Sequence, residues 1–475
     1  MERRNLALLC AGVVCFWLFA LAFGTAQGKG LRIQPAVQAQ AEPAVQPLTV
    51  TPPQLTLPCR AAMLIDQTSG TVLYEMNADQ TMPIASITKV MTLLLIMEDL
   101  DSGRLSKEDL VTVSAAAAGM GGSQVYLKEG EQLSAGELIK CIAVVSGNDA
   151  AVAMAEHLAG SEAAFVERMN RRAAELGMED TVFCNCTGLP AEGHHSSAYD
   201  IALMMQAAME HELFQTIITS PNYVIPATNL SEERTVRNTN ALTSNWTYTG
   251  YLYRRGTGGK TGSTDEAGKC LVETAKDGDT YLISVILGSG PVTDANGEER
   301  QGQFYETIRL LDWGFDNFRR VTLAPEGTLV AKVKVNLSTQ ADEVNVKPQG
   351  EVTRTLPKDV DLDRVEMVPR LFSESVDAPV EAGQVLGTMV LSYEGTEYGT
   401  LDLVADTSVE RSQLLYYKSQ VEHFFQNSGV KLILAVVLIV GAVVLLRLLV
   451  FRRSRRYRAG MGAGRRGHYS GRRRR

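Results

Sequence analysis

A serine and a lysine three residues apart, Ser86 and Lys89, are the first pair in this sequence that could carry out a reaction. Positions i and i+3 of a helix lie on the same face, so the lysine amine can reach the serine hydroxyl. A hydroxyl becomes a good nucleophile when a base removes its proton, and burial lowers the pKa of a lysine towards the range where it acts as that base. The apolar run from Val90 to Met97 indicates a buried helix. Taken alone the pair is a weak signal, because an exposed Ser and Lys on a helix surface explain most such matches.

The second candidate is the tripeptide Ser146-Gly147-Asn148, which lies between two apolar stretches with helical spacing. The hydroxyl of Ser146 could carry a proton from Lys89 to a leaving group. The amide of Asn148 could orient either Lys89 or the amide of a substrate. A turn that joins two helices explains the same tripeptide, so in isolation it indicates little.

The third candidate is Lys260-Thr261-Gly262, which is followed by Ser263 and then by an apolar strand pattern. We expect Lys260 and Thr261 to hold a terminal carboxylate of the substrate, and Gly262 to leave room for its close approach. A strand at the edge of a sheet could pair with an extended peptide. The backbone N–H of Ser263, together with that of Ser86, would form an oxyanion hole. A glycine-rich loop is the alternative explanation.

The elements that must position these residues form an α+β pattern. Strands at both ends of the segment and helices between them predict a sheet that is built from both ends of the domain. The turn at Asp277-Gly278-Asp279 predicts a hairpin. The predicted strands are 61–66, 71–75, 269–276 and 280–287, and the predicted helices are 84–100, 137–158 with a break near Gly147, 165–176, 198–212 and 305–318.

The next segment, residues 321–405, has short alternating stretches separated by Gly and Pro, which predicts a small all-β sandwich domain. It has no cluster of His, Cys or paired acids, so we expect it to act as a spacer. Residues 406–429 form a juxtamembrane segment with a plausible helix.

Two apolar segments flank the body of the chain. Residues 1–26 resemble a signal peptide, with Arg3 and Arg4 ahead of an apolar stretch and small residues before a cleavage site at Ala26. An uncleaved anchor is the alternative. Residues 27–57 are rich in Pro and Gln and predict an extended linker. Residues 430–451 are long and apolar enough for a single transmembrane helix.

The charge pattern supports a membrane topology. The stretch from Arg452 to Arg475 has 11 Arg and no acid, whereas the chain as a whole has a net charge of -8. Basic residues favour the cytoplasmic side, so we expect a cytoplasmic tail and an extracytoplasmic catalytic domain. The remaining acidic body excludes nucleic acid as a partner.

Cysteine and histidine residues do not predict a metal site. The cysteines beyond the signal are scattered and odd in number, and we interpret them mostly as small buried side chains, with one disulfide left open. They are Cys59, Cys141, Cys184, Cys186 and Cys270. His194 and His195 are adjacent, but no further ligands cluster with them, so neither a metal nor an organic cofactor is expected. Asp200 is expected to steady the local structure.

The order of the three elements is more specific than any one of them. They are separated by about 60 and then about 114 residues, and the same trio occurs in class A β-lactamases and penicillin-binding proteins. The chain resembles the low-molecular-mass penicillin-binding proteins of peptidase family S11, which act as D-alanyl-D-alanine carboxypeptidases. Three further segments share in this resemblance: Thr187-Gly188-Leu189, His195 to Asp200, and Asn238-Thr239-Asn240.

The resemblance implies a β-lactamase/transpeptidase-like catalytic domain over residues 58–320, an antiparallel sheet with helices on both faces. It also implies removal of the terminal D-alanine from peptidoglycan stem pentapeptides through an acyl-enzyme on Ser86. β-Lactam antibiotics would be covalent inhibitors. Ser263 stands where many relatives have His or Tyr, so a change in specificity or rate is expected.

Three other functions are alternatives to this one. A class A β-lactamase needs a Glu-x-x-x-Asn element, and none lies between Asn148 and Lys260. A transpeptidase or endopeptidase uses the same trio and differs only in the group that attacks the acyl-enzyme, so the motifs do not exclude it. A non-catalytic cell-wall-binding scaffold is disfavoured because the reactive residues are intact.

Overall fold

The computed structural model describes residues 53–325, 327–393 and 396–459. The predicted signal peptide, residues 27–52 of the predicted linker and residues 460–475 of the Arg-rich tail lie outside the described residues. In the described end of the predicted linker, Leu57 is buried, and the carbonyl of Pro53 accepts a hydrogen bond from the indole N–H of Trp313 at 2.8 Å. Residues 53–57 therefore contact the catalytic domain.

The helices and strands are numbered here in chain order. The helices are α1 (Lys89–Asp101), α2 (Ala115–Ala118), α3 (Ala135–Val144), α4 (Asn148–Ala159), α5 (Glu162–Glu175), α6 (Ala198–Ala208), α7 (Glu212–Ile218), α8 (Gly302–Asn317), α9 (Gln413–Gln426) and α10 (Ser428–Ala459). The strands up to the end of the catalytic domain are β1 (Ala61–Asp66), β2 (Val72–Met76), β3 (Leu110–Thr112), β4 (Gln132–Ser134), β5 (Asn222–Ile225), β6 (Arg234–Arg237), β7 (Gly256–Thr264), β8 (Gly268–Asp277), β9 (Thr280–Ser289), β10 (Pro291–Thr293) and β11 (Glu299–Gln301). The later strands are β12 (Phe318–Ala324), β13 (Ala331–Asn336), β14 (Glu343–Pro348), β15 (Val352–Pro357), β16 (Val365–Leu371), β17 (Ser375–Asp377), β18 (Val385–Tyr393) and β19 (Thr396–Ala405).

The central sheet is antiparallel and has the order β2-β1-β9-β8-β7. The first strand pairs with the last, with Ala61 opposite Leu287, so both ends of the domain build the sheet as expected. The predicted hairpin is confirmed, with Asp277 opposite Thr280. Strand β7, which carries Lys260-Thr261-Gly262, lies at one edge of this sheet and β2 at the other.

Helices cover both faces of the sheet because the side chains of its strands alternate between two apolar cores. On β1, Ala61, Met63 and Ile65 contribute to the large core that α1, α3, α4 and α6 complete. Ala62 and Leu64 contribute to a second core on the opposite face, where α8 packs. A burial pattern with no exposed position on β1 follows from this arrangement.

The predicted helix 84–100 is divided into two parts. Residues Ala85–Thr88 form a 3₁₀ turn that contains Ser86, and α1 begins at Lys89. Ala85 has φ of 48°, a left-handed conformation that an α-helix cannot contain. The break predicted near Gly147 is confirmed, because α3 ends at Val144 and α4 begins at Asn148. The predicted helix 198–212 is too long, since α6 ends at Ala208 and a separate helix, α7, follows.

The chain divides into two compact units, of which the second comprises Ala324–Glu351, Val368–Met389 and Leu401 onward. In this unit β14 pairs antiparallel with β13 and β19, and β17 pairs parallel with β13. Val333 and Val335 of β13 are buried between exposed neighbours, which is the expected alternation. The C-terminal β domain is therefore confirmed.

Two helices follow the β domain. The helix expected in the juxtamembrane segment is α9, and α10 contains a stretch, Ser428–Leu449, that is long and apolar enough to cross a membrane. None of that stretch is buried within the protein. An exposed apolar helix of this length favours a lipid environment.

Candidate active site

The side chain of Lys89 is fully buried beside Ser86. Its ammonium nitrogen, Nζ, lies 3.0 Å from Oγ of Ser86, 2.6 Å from Oδ1 of Asn148 and 2.6 Å from the carbonyl oxygen of Thr187. All three partners are uncharged. The first and second sequence elements therefore meet around one amine. Asn148 contacts Lys89, which is one of the two arrangements that the sequence predicts for it.

The environment of Lys89 disfavours its charged form. Burial lowers the pKa of Lys89 to about 7, and the negative charge of Asp149 opposes part of this decrease. An amine with a pKa near 7 is partly neutral at physiological pH. In that form its lone pair can accept the proton of the neighbouring hydroxyl.

The third element reaches the same cleft through Lys260. Its Nζ donates to Oγ of Ser146 at 2.9 Å and to the carbonyl oxygen of Thr261 at 2.9 Å. The side chain is buried, and burial holds the pKa of Lys260 well below its usual value, with the charge of Lys89 adding to the decrease. The sequence predicts that Ser146 works with Lys89, whereas in the structure Ser146 has a direct hydrogen bond to Lys260.

The backbone around the site is strained at two non-glycine residues. Ala85, next to Ser86, has φ of 48°, and Ser146 has φ of 65°. Such left-handed residues cost on the order of 1–3 kcal/mol each and persist only where the surrounding structure holds them. One of these residues precedes Ser86 and the other is Ser146, so both strained positions lie at the candidate site.

Two glycines let neighbouring segments approach the turn that bears Ser86. A Cβ at Gly188 would overlap the carbonyl oxygen of Ala85, in addition to the residue's φ of 80°. A Cβ at Gly262 would lie 2.7 Å from the carbonyl oxygen of Ile84. The close approach of β7 to this turn therefore requires glycine at 262, whereas the sequence predicts that Gly262 leaves room for the substrate.

The remaining predicted residues of the third element lie along β7. The hydroxyl of Thr261 is 2.6 Å from that of Thr239, which belongs to the segment Asn238-Thr239-Asn240. The side chain of Ser263 is exposed, and its hydroxyl accepts a hydrogen bond from Nζ of Lys269 at 3.0 Å.

Sequence reasoning missed the interactions of Thr187 and His194. The N–H of Cys184 donates to Nδ1 of His194 at 3.1 Å, so Nε2 carries the proton and donates to the hydroxyl of Thr88 at 2.8 Å. That hydroxyl in turn donates to the carbonyl of Ala85. Burial lowers the pKa of His194 to about 4, so the ring is neutral and both nitrogens are used in supporting the turn. Adjacent histidines and the Thr-Gly-Leu segment were visible in the sequence, but their long-range partners were not.

Asp200 has the supporting role that was expected of it. Its Oδ2 accepts the N–H of Asp180 at 2.9 Å and the hydroxyl of Thr181 at 2.7 Å, and its own N–H donates to Ser197 at the start of α6. The five described cysteines are free, so the disulfide left open by the sequence does not form among them. Cys141, Cys186 and Cys270 are buried, whereas Cys184 is exposed. Among the described residues there is no group of three His, Cys, Asp or Glu that could hold a metal ion.

Two family models match this chain. The model of the D-alanyl-D-alanine carboxypeptidases, peptidase family S11, covers residues 47–290, and that of the penicillin-binding protein 5 C-terminal domain covers residues 318–411. These matches correspond to the domain with the central sheet and to the β domain that follows it.

Individual relatives extend the similarity over most of the chain. The D-alanyl-D-alanine carboxypeptidase DacF of Bacillus subtilis is 35% identical over 365 residues, which is 77% of this chain and 89% of that protein. DacC of Escherichia coli is 33% identical and covers 74% of this chain and 84% of its own length. The crystal structure of penicillin binding protein 5 from Haemophilus influenzae has a TM-score of 0.66 at 29% identity, and the match covers 76% of this chain and 100% of that one. From these matches and the geometry of its site, the chain belongs to the D-alanyl-D-alanine carboxypeptidases of peptidase family S11.

Proposed function

We propose that this D-Ala-D-Ala carboxypeptidase removes the terminal D-alanine from peptidoglycan stem pentapeptides through an acyl-enzyme on Ser86. The observation that carries the proposal is the buried amine of Lys89, 3.0 Å from the hydroxyl of Ser86, with a pKa lowered to about 7. A nucleophile next to a base of matched pKa is the arrangement that acyl transfer requires.

In the first step, neutral Lys89 takes the proton of Ser86, whose oxygen attacks the carbonyl carbon of the penultimate D-alanine. The backbone N–H groups of Ser86 and Ser263 stabilise the oxyanion that forms. The C–N bond to the last D-alanine then breaks. The departing amine takes up the proton that Lys89 accepted from Ser86, with Ser146 as the relay; in the free protein the hydroxyl of Ser146 accepts a hydrogen bond from Lys260 instead of contacting Lys89.

Lys260 and Thr261 hold the carboxylate of the last D-alanine in this mechanism. In the free protein Lys260 is buried without a carboxylate partner among the described residues, and its pKa is lowered. An arriving carboxylate would favour the charged form of Lys260, because an opposite charge nearby reverses that shift. The hydrogen bond from Lys260 to Ser146 links the bound carboxylate to the group that donates the proton.

Water then attacks the acyl-enzyme and releases the shortened peptide. Lys89 accepts a proton from this water and returns it to Ser86. Asn148 holds the amine in place for both steps through its side-chain oxygen, and its own amide donates to the carbonyl of Gly121 at 2.7 Å. The same acyl-enzyme is the species that β-lactam antibiotics would trap.

We further propose that α10 anchors the chain as a single membrane span, with residues 58–320 outside the cytoplasm and the Arg-rich tail inside it. Support comes from the exposed apolar stretch Ser428–Leu449 and from the basic residues that follow it.

Labelling with a fluorescent penicillin tests the nucleophile. Full-length protein in detergent should become labelled, whereas the Ser86→Ala variant should not. Ser106→Ala, at an exposed serine outside the site, should label like the original chain. Label that persists in Ser86→Ala would exclude this residue as the nucleophile.

Product masses test the reaction. A pentapeptide that ends in D-Ala-D-Ala should lose one alanine, and addition of glycine as an amine acceptor should leave that product dominant. A product that contains the acceptor as its main species would identify a transpeptidase instead.

A further inference from the structure

Helix α10 continues beyond the apolar stretch that is long enough to cross a membrane. The stretch ends at Leu449, whereas the helix ends at Ala459, ten residues or about 15 Å further on. This extension has five arginines and no acidic residue. We call these arginines the basic collar; they are Arg452, Arg453, Arg455, Arg456 and Arg458. The proposed topology uses their charge only to orient the chain.

The length of the apolar stretch fixes the depth of the collar, so this inference rests on the proposed membrane span. The stretch has 22 residues, which is about 33 Å of helix and matches a hydrocarbon core of about 30 Å. The headgroup region adds about 5–8 Å on each side. The collar begins about 5 Å beyond Leu449 and therefore at the depth of the headgroups. Arg447 is exposed, and its long side chain can extend to the same layer.

The composition of the collar favours phosphate as its ligand. A guanidinium group is planar and donates two parallel hydrogen bonds to a phosphate group, which the ammonium of a lysine cannot do. A zwitterionic phospholipid carries an ammonium that offsets its phosphate, whereas an anionic phospholipid keeps a net negative charge. Basic residues next to a membrane span are attracted to the second class.

The spacing of the collar favours lipid over a protein or a nucleic acid. Successive residues of an α-helix are about 100° apart around its axis, so the five positions surround the helix with about 140° as the widest gap. A groove in a macromolecule contacts one face of a helix, at positions such as i, i+3 and i+4. Residues 452, 455 and 456 share such a face, but Arg453 and Arg458 fall outside it. Lipid headgroups surround a membrane helix on all sides.

We propose that the basic collar binds the phosphate groups of anionic phospholipids in the leaflet next to the tail. These lipids form a shell around the extension of α10 that is richer in anionic species than the surrounding bilayer. The interaction is independent of the reaction at Ser86, since the collar lies outside the catalytic domain.

Spin-labelled lipids test the proposal with the full-length protein in bilayer nanodiscs of phosphatidylcholine. The electron paramagnetic resonance spectrum separates lipid in contact with the protein from bulk lipid. We expect the protein to prefer phosphatidylglycerol over phosphatidylcholine by about threefold at low salt. This preference should disappear at about 1 M salt, where the screening length is about 3 Å.

A variant without the charge of the collar should lose the preference at low salt as well. It combines Arg452→Gln, Arg453→Gln, Arg455→Gln, Arg456→Gln and Arg458→Gln. The matched control removes the same charge further along the chain and should keep the preference. It combines Arg466→Gln, Arg472→Gln, Arg473→Gln, Arg474→Gln and Arg475→Gln. The salt series with the unmodified protein tests the role of charge even where a variant fails to insert.

Equal contact of both lipids with the unmodified protein would overturn the proposal and leave the membrane span in place. An equal loss of preference in the two variants would assign it to the tail as a whole and would also overturn the collar. Loss of the preference on addition of a short DNA duplex would identify nucleic acid as the ligand instead. A spectrum without any contact component would refute the span and the collar together. Failure of the unmodified protein to label with penicillin would refute the proposed reaction alone.

Discussion

Helix α1 has a buried ionisable side chain near each end, and the two side chains differ in the charge of their partners. Lys89, at the first position, is fully buried, and its three hydrogen-bond partners are uncharged. Asp99, near the last turn, is 2% exposed and is held by Arg168 at 2.7 Å and by Arg104 at 2.6 Å.

The difference suggests that the side chain at one end of α1 serves the reaction and that the side chain at the other end serves the stability of the fold. A buried charge without a counter-charge lowers its own cost by shifting its pKa, which at Lys89 yields a base near neutral pH. A buried carboxylate with two basic partners instead joins three segments of the chain. The comparison predicts that changes at the first end affect activity and that changes at the second end affect folding.

The largest effect is expected for Lys89→Met, which keeps the aliphatic chain and removes the base. The rate of acylation by penicillin should fall by about 10³-fold. The free energy of unfolding should change by less than about 1 kcal/mol, because relief of the buried amine offsets the hydrogen bonds lost by Asn148 and Thr187. Labelling kinetics and urea unfolding measure the two quantities. Lys107→Met, at an exposed lysine, is the control. A large loss of free energy of unfolding in Lys89→Met with little change in the rate of acylation would contradict the comparison.

The pH dependence of the unmodified enzyme should show the same base. Lys89 must be neutral to accept the proton, and its pKa is about 7. The value of kcat/KM should therefore fall about tenfold for each pH unit below 7 and level off above it. A stopped-flow pH series checks this, and an acid limb centred near pH 4 would point to a carboxylate base instead.

At the other end of α1, Asp99→Ala should reduce the free energy of unfolding by about 2 kcal/mol, because it leaves Arg168 without its carboxylate. The figure is at the low end for a buried pair since Arg104 is 62% exposed and Arg168 is 25% exposed. Acylation by penicillin at low temperature should be unchanged. Urea unfolding measures the loss, with Glu175→Ala as an exposed ion-pair control. A large loss of acylation in folded Asp99→Ala would contradict the prediction that changes at this end of α1 affect folding alone.

Much of this arrangement could be predicted from the sequence because it depends on local pattern. The apolar period of α1 and the alternation of the β8–β9 hairpin indicated those elements, and the order of the three short motifs indicated the chemistry. The left-handed φ of Ala85 was not predictable, since nothing in an alanine side chain signals it. A distant segment also lies against this turn, since a Cβ at Gly188 would overlap the carbonyl oxygen of Ala85.

Contacts between distant segments account for the other differences. The bond from Lys260 to Ser146 joins residues 114 positions apart, and that from Lys89 to the carbonyl of Thr187 spans 98 positions. A backbone carbonyl has no sequence signature at all. The sequence likewise predicts only a strand at Glu273, because the partner of its carboxylate, Asn240, lies on another segment.

Glu273 provides an acidic counterpart to Lys89, away from the reacting groups. It is fully buried on β8, and its Oε2 accepts the amide of Asn240 at 2.6 Å. Its Oε1 has no hydrogen-bond partner among the described residues. Burial raises the pKa of Glu273 to about 8, whereas an unfolded glutamate titrates near 4.5. Between these values the folded state keeps a proton that the unfolded state has lost, so the free energy of unfolding decreases as pH rises towards 8.

Glu273→Gln should therefore stabilise the protein, and by more at pH 8 than at pH 5. The amide oxygen of glutamine can still accept from Asn240, and the change removes the only form of the side chain that is costly to bury. We expect a gain on the order of 4 kcal/mol at pH 8 that shrinks below about 1 kcal/mol at pH 5, with acylation by penicillin unchanged. Urea unfolding at both pH values measures the gain. An equal gain in the free energy of unfolding at both pH values would show that packing causes the gain. A loss of acylation in Glu273→Gln would show that the carboxyl group of Glu273 takes part in the reaction, as the amine of Lys89 does.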